Sequence, residues 1–144
     1  MGLAARDLRG TTVSETRTVV EEFYRRLDNG ETNRLGELFA DEIEWDIYGA
    51  EEVPWTGRRT TRQQAVEFFA TLPDHLQPED FAVLHLLVEG TEAVALGTMR
   101  HIVKATGKTF SSPFAFHFTV ADGKITRYVT FEDSLALARA FEAV

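Results

Sequence analysis

Three side chains in the C-terminal half of this 144-residue chain could move a proton or stabilise a developing charge: His101, Tyr128 and Glu132. An imidazole changes its charge near neutral pH, so His101 could act as the acid–base group. A carboxyl group against an apolar wall has a raised pKa, so Glu132 could orient the imidazole or serve as the partner acid–base group. The Tyr128 phenol could donate a hydrogen bond to a carbonyl or an oxyanion. If the three face one pocket, they predict proton-transfer chemistry.

Other kinds of active site lack their residues. The chain has no cysteine, which excludes disulfides, thiolate metal sites and a cysteine nucleophile. It contains no phosphate-binding glycine loop and no Gly-x-Ser-x-Gly sequence, so a hydrolase elbow is not supported. The remaining histidines, His75, His85 and His117, show no metal-ligand spacing and are expected to be solvated or structural. We therefore expect no metal and no cofactor.

The charge balance limits the partners that the protein can have. Fifteen basic and twenty-three acidic side chains give a net charge of −8, which disfavours binding to nucleic acid or to an anionic membrane. The cluster Arg58, Arg59 and Arg62 is expected to be a solvated turn. No apolar run approaches the roughly 20 residues that span a bilayer, and residues 1–12 lack the apolar stretch of a secretory signal. We expect a cytoplasmic protein with a flexible tail over residues 1–12 and a single domain over 13–144.

The order of the predicted elements is helices first and strands afterwards. A capping box at Thr12 and Glu15 begins the first helix, and Pro73 is expected to end the third. Gly-containing turns join the later strands, which makes neighbouring strands antiparallel. The prediction is an α+β fold with an antiparallel sheet of about five strands, three covering helices and a short C-terminal helix. The helices fall near residues 13–29, 33–40 and 61–72, and the strands near 43–48, 81–89, 93–105, 108–121 and 124–131.

Four stretches carry a resemblance to a known superfamily: FYRRLDNGETNRLGELFADEIEW from Phe23, PWTGRRTTRQQAVEFF from Pro54, FTVADGKITRY from Phe118 and FEDSLALARAF from Phe131. They resemble the nuclear-transport-factor-2-like superfamily, and within it the SnoaL-like and ketosteroid-isomerase-related proteins. The resemblance implies a cone-like curved sheet around a cavity for a hydrophobic small molecule. Because family members often dimerise through the other face of the sheet, it also implies a homodimer.

The catalytic residues of those relatives do not carry over to this chain. By the resemblance, the tyrosine donor and the base of ketosteroid isomerases fall on Phe23 and Ile47, and their protonated acid falls near Phe116. Apolar side chains cannot transfer a proton, so steroid isomerisation by that mechanism is not expected. The aspartate of SnoaL-type cyclases falls on Thr130, whose hydroxyl is a poor base near pH 7.

The resemblance also indicates which side chains face the cavity. The inward polar groups are then His101, Tyr128, Thr130 and Glu132. Strict alternation along the last strand gives the opposite answer, because it places Ile125, Val129 and Phe131 on the apolar face and leaves Tyr128 and Glu132 in solvent. The predicted substrate-binding wall comprises Phe23, Trp45, Ile47, Phe68, Met99, Phe114, Phe116, Phe118 and Thr130.

Three functional hypotheses follow. The first is a cofactor-independent isomerase, cyclase or dehydratase that acts on a hydrophobic oxygenated small molecule, with His101, Glu132 and Tyr128 as catalytic residues. The second is a non-catalytic ligand-binding or dimerisation module, favoured by the loss of the family's known bases. The third, an epoxide hydrolase, requires an inward arginine in an Asp–Arg–Asp cluster, but the nearest candidate, Arg100, is expected to point outward beside His101.

Overall fold

The computed structural model describes residues 12–142. Helix α1 (Val13–Asp28) begins at the predicted capping box, in which the Thr12 side chain accepts a hydrogen bond from the Glu15 N–H and the Glu15 carboxylate accepts one from the Thr12 N–H. A 3₁₀ helix follows over Thr32–Leu38. The predicted tail lies outside the described residues except for Thr12. Of the helices within residues 12–142, none is long and apolar enough to cross a membrane.

Six strands form one curved, unclosed sheet, and the α+β fold class is confirmed. Their order in the sheet is β2-β1-β6-β5-β4-β3. All neighbours are antiparallel except β1 and β6, which run parallel. The parallel pair and the additional strand β2 are two features that sequence patterns did not indicate, and β3 begins at Leu76, earlier than predicted. The strands are β1 (Phe39–Ile47), β2 (Gly57–Thr61), β3 (Leu76–Glu89), β4 (Glu92–Val103), β5 (Thr109–Ala121) and β6 (Lys124–Glu132).

Two further helices close the fold around the concave face of the sheet. Helix α2 (Arg62–His75) begins at a capping box formed by Thr61 and Gln64. The prediction that Pro73 ends this helix was wrong, because the helix continues past Leu72 as far as His75 and the Leu76 N–H bonds to the Leu72 carbonyl. Helix α3 (Ser134–Phe141) is capped by Asp133.

The predicted basic turn is instead part of the sheet and of α2. Arg58 and Arg59 lie on β2, and Arg62 begins α2. The Arg59 guanidinium lies 5.5 Å from the Trp45 ring centroid and 5.1 Å from that of Phe68. Burial lowers the Arg59 pKa. The prediction of a solvated turn was therefore wrong for Arg59, which packs against aromatic rings as a cation–π partner.

A β-bulge decides which side chains of β6 face the helices. Val120 pairs with Ile125, but Thr119 pairs with Arg127, so β6 contains one extra residue at this point. An extra residue shifts the alternation of the strand by one position. As a result Ile125 and Tyr128 are both buried, whereas Phe131 is 49% exposed on the outer face. Strict alternation therefore gave the wrong answer for the second half of β6.

On the outer face of the sheet, Glu92 joins three polar side chains. Its carboxylate accepts hydrogen bonds from the Thr91 and Thr119 hydroxyls and lies 2.7 Å from His117 Nε2. Burial alone would raise the Glu92 pKa, but these hydrogen bonds together lower it below its ordinary value. His117 is thus a structural residue of this cluster.

Replacing Glu92 by Gln should lower the free energy of unfolding by about 1 kcal/mol at pH 7, because charged hydrogen bonds are lost at a partly exposed site. A carboxyl with a lowered folded-state pKa stabilises above its unfolded pKa and loses that effect as the pH falls through the folded pKa. The difference from wild type should therefore shrink towards pH 3 in urea unfolding. The exposed Glu52→Gln, away from this strand pair, is the control, and an equal loss in both variants would contradict the role of the cluster.

Candidate active site

A largely apolar cavity of about 370 Å³ lies between the three helices and the concave face of the sheet. Most of its wall consists of aromatic and aliphatic side chains, and its polar residues lie mainly on β4 and β6. Asp28, Pro73 and Pro78 are the exposed lining residues and lie where the cavity opens to solvent. The remaining lining residues are Phe23, Leu27, Thr32, Ile47, Trp55, Phe68, Phe69, Leu72, Leu76, Phe81, Met99, His101, Phe110, Phe116, Tyr128, Thr130, Glu132 and Leu137.

The cavity brings together the three residues predicted as catalytic. His101 comes from β4, and Tyr128 and Glu132 come from β6. The bulge in β6 is what turns the last two towards the helices. Six predicted wall residues also line the cavity: Phe23, Ile47, Phe68, Met99, Phe116 and Thr130.

Three predicted wall residues, Trp45, Phe114 and Phe118, lie behind the lining instead. The Trp45 ring is covered by Tyr128 at 4.5 Å and Phe68 at 4.9 Å, between ring centroids. Phe118 is fully buried against the Phe23 ring at 5.4 Å. All three face inward as predicted, but other rings separate them from the cavity.

Phe114 does not line the cavity, because its ring packs over Gly97 on the neighbouring strand. Its ring stacks between Phe81 and Phe116, with centroids 4.9 and 4.5 Å away. Phe114 pairs with Gly97 on β4, and a Cβ atom on Gly97 would lie 2.5 Å from Phe114 Cζ. The missing side chain therefore leaves the space into which Phe114 packs.

Glu132 is an unpaired carboxyl group on the wall of this cavity. Within residues 12–142, no hydrogen bond or ion pair joins its side chain to another residue, and burial alone accounts for the shift of its pKa. Burial raises the pKa of Glu132 to about 7. At neutral pH the group is therefore divided between its protonated and ionised forms, as a group that both accepts and returns a proton requires.

Tyr128 and Thr130 supply hydroxyl groups on the same side of the cavity. Both side chains are buried, at 5% and 4% exposure. Burial raises the pKa of Tyr128 well above its ordinary value, against the opposing effect of a hydrogen bond with Thr130. The phenol is therefore neutral at pH 7 and can donate a hydrogen bond to a ligand oxygen.

His101, on β4, is a third titratable group in the cavity wall. Burial lowers its pKa below the ordinary value, so the ring is neutral at pH 7. Its Nδ1 atom is buried and has no partner among the described residues. A buried polar atom without a partner is costly, on the order of 1–3 kcal/mol, so this atom is a candidate contact for a bound ligand.

The structure does not bring the His101 ring into contact with the Glu132 carboxyl. His101 pairs with Phe110 of β5 and Glu132 with Phe114, so the two stand four residues apart along that strand. Within residues 12–142, no ion pair or hydrogen bond links them. Glu132 therefore cannot orient the imidazole directly, but one ligand in the cavity could contact both.

Several lining residues were missed by sequence reasoning. Phe110 alternates with the predicted Phe114 and Phe116 along β5, so the pattern could have identified it. Phe81 could not be placed in this way, because β3 carries two register shifts relative to β4. Asp28 lies at the end of α1, where an acidic side chain reads as an ordinary surface residue.

Trp55 lies in the loop between β1 and β2, lines the cavity and is only 6% exposed. Its ring packs against Phe141 of α3 at 5.3 Å and against His75 at 5.5 Å, between centroids. His75, expected to be solvated, is thus half-buried beside Trp55.

The arginine considered for an epoxide hydrolase and the histidine of β3 lie outside the cavity. Arg100 is exposed on β4 and outside the lining, so it cannot complete an Asp–Arg–Asp cluster in the cavity. His85 is exposed on β3. In the part of the chain that the structure describes, no group of three or more His, Cys, Asp or Glu residues could hold a metal ion.

The curved sheet, its helices and the cavity define a small α+β protein of the NTF2-like class. Residues 20–128 match the SnoaL-like domain, and the chain belongs to this family. No curated protein sequence matches the chain.

Solved structures of similar proteins share the fold over most of this chain. An NTF2-like protein from Burkholderia xenovorans LB400 is 25% identical, with 92% of this chain and 100% of that chain covered and a TM-score of 0.83. A protein from Bacillus subtilis, named as a proposed isomerase, is 16% identical over 91% of this chain and 95% of that chain, with a TM-score of 0.76. A proposed SnoaL-like polyketide cyclase from Mesorhizobium loti is 20% identical over 80% and 97%, with a TM-score of 0.67.

Proposed function

We propose that this protein is a cofactor-independent enzyme that moves a proton on a hydrophobic oxygenated small molecule, as an isomerase, cyclase or dehydratase. The observation that carries the proposal is the unpaired Glu132 carboxyl, whose pKa burial raises to about 7 in an otherwise apolar cavity. A general base or acid works best when its pKa is near the working pH. The names of the Bacillus subtilis and Mesorhizobium loti structures fit the same classes of reaction.

The roles follow from the chemistry of each group. Glu132 removes a proton next to a substrate carbonyl and returns it at another position. Tyr128 donates its phenol proton in a hydrogen bond to the carbonyl oxygen, where negative charge develops. His101, neutral and with an unpaired Nδ1, contacts a second polar group of the substrate. The apolar wall excludes water from the reacting atoms.

The test is the exchange of α-protons of hydrophobic ketones in D₂O, which requires no knowledge of the natural product. Wild-type protein should accelerate the loss of the α-proton NMR signal of at least one ketone in a panel of mono- and bicyclic aryl ketones. Glu132→Gln keeps the size of the side chain but removes the base, so the rate should fall by roughly 10²–10⁴-fold. Tyr128→Phe should reduce the rate while it leaves binding of the ketone largely unchanged.

Glu89→Gln, an exposed change on β3, is the matched control and should exchange protons at the wild-type rate. If Glu132→Gln exchanges protons as fast as wild type, Glu132 is not the base. Loss of exchange in His101→Ala alone would instead assign the proton transfer to the imidazole.

The second candidate function is a non-catalytic ligand-binding module. It is favoured by the apolar residues at Phe23, Ile47 and Phe116, where the related isomerases carry their catalytic groups. Under this alternative, ketones shift the fluorescence of Trp55 by binding in the cavity, but no ketone exchanges its protons faster than in buffer.

A homodimer and a cytoplasmic location remain predictions. Support for a dimer comes from apolar side chains exposed on the sheet, among them Leu84 and Leu87 of β3 at 62% and 57% exposure. Large exposed apolar residues in one region often mark an interface. Sedimentation velocity should show a dimer that Leu84→Glu converts to a monomer, and a monomeric wild-type protein would contradict the prediction.

A further inference from the structure

The ionisable side chains that line the cavity carry negative charge or none. Glu132 lies on the wall and Asp28 at the opening. His101 is neutral at pH 7 because burial lowers its pKa. Among the described residues that line the cavity, none is a lysine or an arginine. An anionic ligand would therefore enter a site that repels it and offers no counter-charge.

The aromatic residues of the lining favour the opposite charge. Phe23, Phe68, Phe81, Phe116 and Tyr128 all contribute rings to the wall. The face of an aromatic ring carries partial negative charge and attracts an ammonium group, an effect that grows when both are removed from water. The Glu132 carboxyl lines the same cavity as these rings, and among the described residues it has no hydrogen-bond or ion-pair partner.

We infer that the cavity binds hydrophobic amines, with the ammonium group paired to the Glu132 carboxylate, in preference to alcohols of the same shape, and that it rejects the corresponding carboxylates. The inference rests on the proposed function in one respect: an amine would occupy the same cavity as the neutral substrate and compete with it. It goes further because it assigns a charge to the ligands that the site can hold.

Such binding must be coupled to a proton. The carboxyl is partly protonated near neutral pH, and an ammonium partner stabilises only its ionised form. Binding of an amine should therefore release a fraction of a proton from Glu132. The other titratable groups that face the cavity are Asp28, His101 and Tyr128. Tyr128 is neutral at pH 7 with a raised pKa, so it does not contribute to this release.

The test is calorimetry at pH 6.5 with three probes of one shape: 2-naphthylmethylamine, 2-naphthylmethanol and 2-naphthoate. Wild-type protein should bind the amine roughly 10-fold or more tightly than the alcohol, because a charged hydrogen bond replaces a neutral one. The naphthoate should bind at least 10-fold more weakly than the alcohol. Two buffers of different ionisation enthalpy should reveal proton release with the amine and none with the alcohol.

Glu132→Gln should reduce amine binding to the level of the alcohol and abolish proton release, whereas Glu89→Gln should change neither. Equal wild-type binding of amine and alcohol, or amine binding without proton release, would overturn the inference. If the alcohol binds and the amine does not, the inference fails while the cavity for neutral ligands stands. If no probe binds in the cavity of wild-type protein, both the inference and the proposed function fail.

Discussion

Glu132→Gln should be more stable than wild type above pH 7, and this advantage should disappear as the pH falls towards 4.5. Burial raises the Glu132 pKa in the folded protein from 4.5 to about 7. A carboxyl group with a raised folded-state pKa stabilises the fold fully below its unfolded pKa and loses that effect as the pH rises through the folded pKa. Wild type should therefore lose up to about 3 kcal/mol of stability from this group between pH 4.5 and 8, at 1.36 kcal/mol per pKa unit.

Urea unfolding of both proteins at pH 5, 6, 7 and 8 measures this effect as the difference in their free energies of unfolding. Glutamine cannot ionise, so the difference should grow steadily across this range in favour of the variant. The exposed Glu52→Gln is the control for the loss of one carboxylate. If the difference in free energy of unfolding between Glu132→Gln and wild type did not change with pH, the Glu132 pKa would not be raised in the folded protein. The proposed acid–base role would then lose its main support.

Gly97→Ala should lower the free energy of unfolding by about 3 kcal/mol, the upper end of the usual cost of overpacking. A Cβ atom at this position would lie 2.5 Å from Phe114 Cζ and closer still to the Ala82 carbonyl oxygen of β3. The register of β3 shifts between Val83 and His85, next to this contact. The carbonyl belongs to the backbone, so it cannot rotate away as a side chain could.

Thr98→Ala, an exposed change on the same strand, is the control and should alter stability by less than about 1 kcal/mol. Without a steric conflict, Gly→Ala usually stabilises by about 0.4–1 kcal/mol through the unfolded state. A neutral or stabilised Gly97→Ala protein would therefore show that β3 and Phe114 do not approach Gly97 so closely. Thermal unfolding of the two variants beside wild type separates these results.

Local sequence signals predicted most of the helices and turns. The predicted cap Thr12 begins α1, and Thr61 and Asp133 cap α2 and α3 through side-chain hydrogen bonds of the same local kind. The Asp122-Gly123 turn between β5 and β6 has positive φ at both residues, 52° and 76°, which is the geometry that this pair favours. These signals succeed because a cap or a tight turn is formed by residues that are neighbours in the sequence.

The pairing of strands that are distant in the sequence could not be predicted from such local signals. Strand β2 consists of glycine, arginine and threonine. It therefore has no apolar side chains whose alternation could have indicated a strand. Its pairing with β1, and the parallel pairing of β1 with β6, join segments separated by a loop or by most of the chain. No local pattern records such a partner, since it is selected by the packing of the whole sheet.

The sequence by itself determined the α+β class, the helix starts, the turns and the residue types available for proton transfer. Only the tertiary structure decided that Tyr128 and Glu132 face the cavity, because one extra residue in β6 reverses the alternation. It also decided that Glu132 and His101 stand apart and that Phe114 packs over Gly97 rather than lining the cavity. The chemistry of a carboxyl group depends on its burial and its partners, and in this fold both are set by strands that are distant in the sequence.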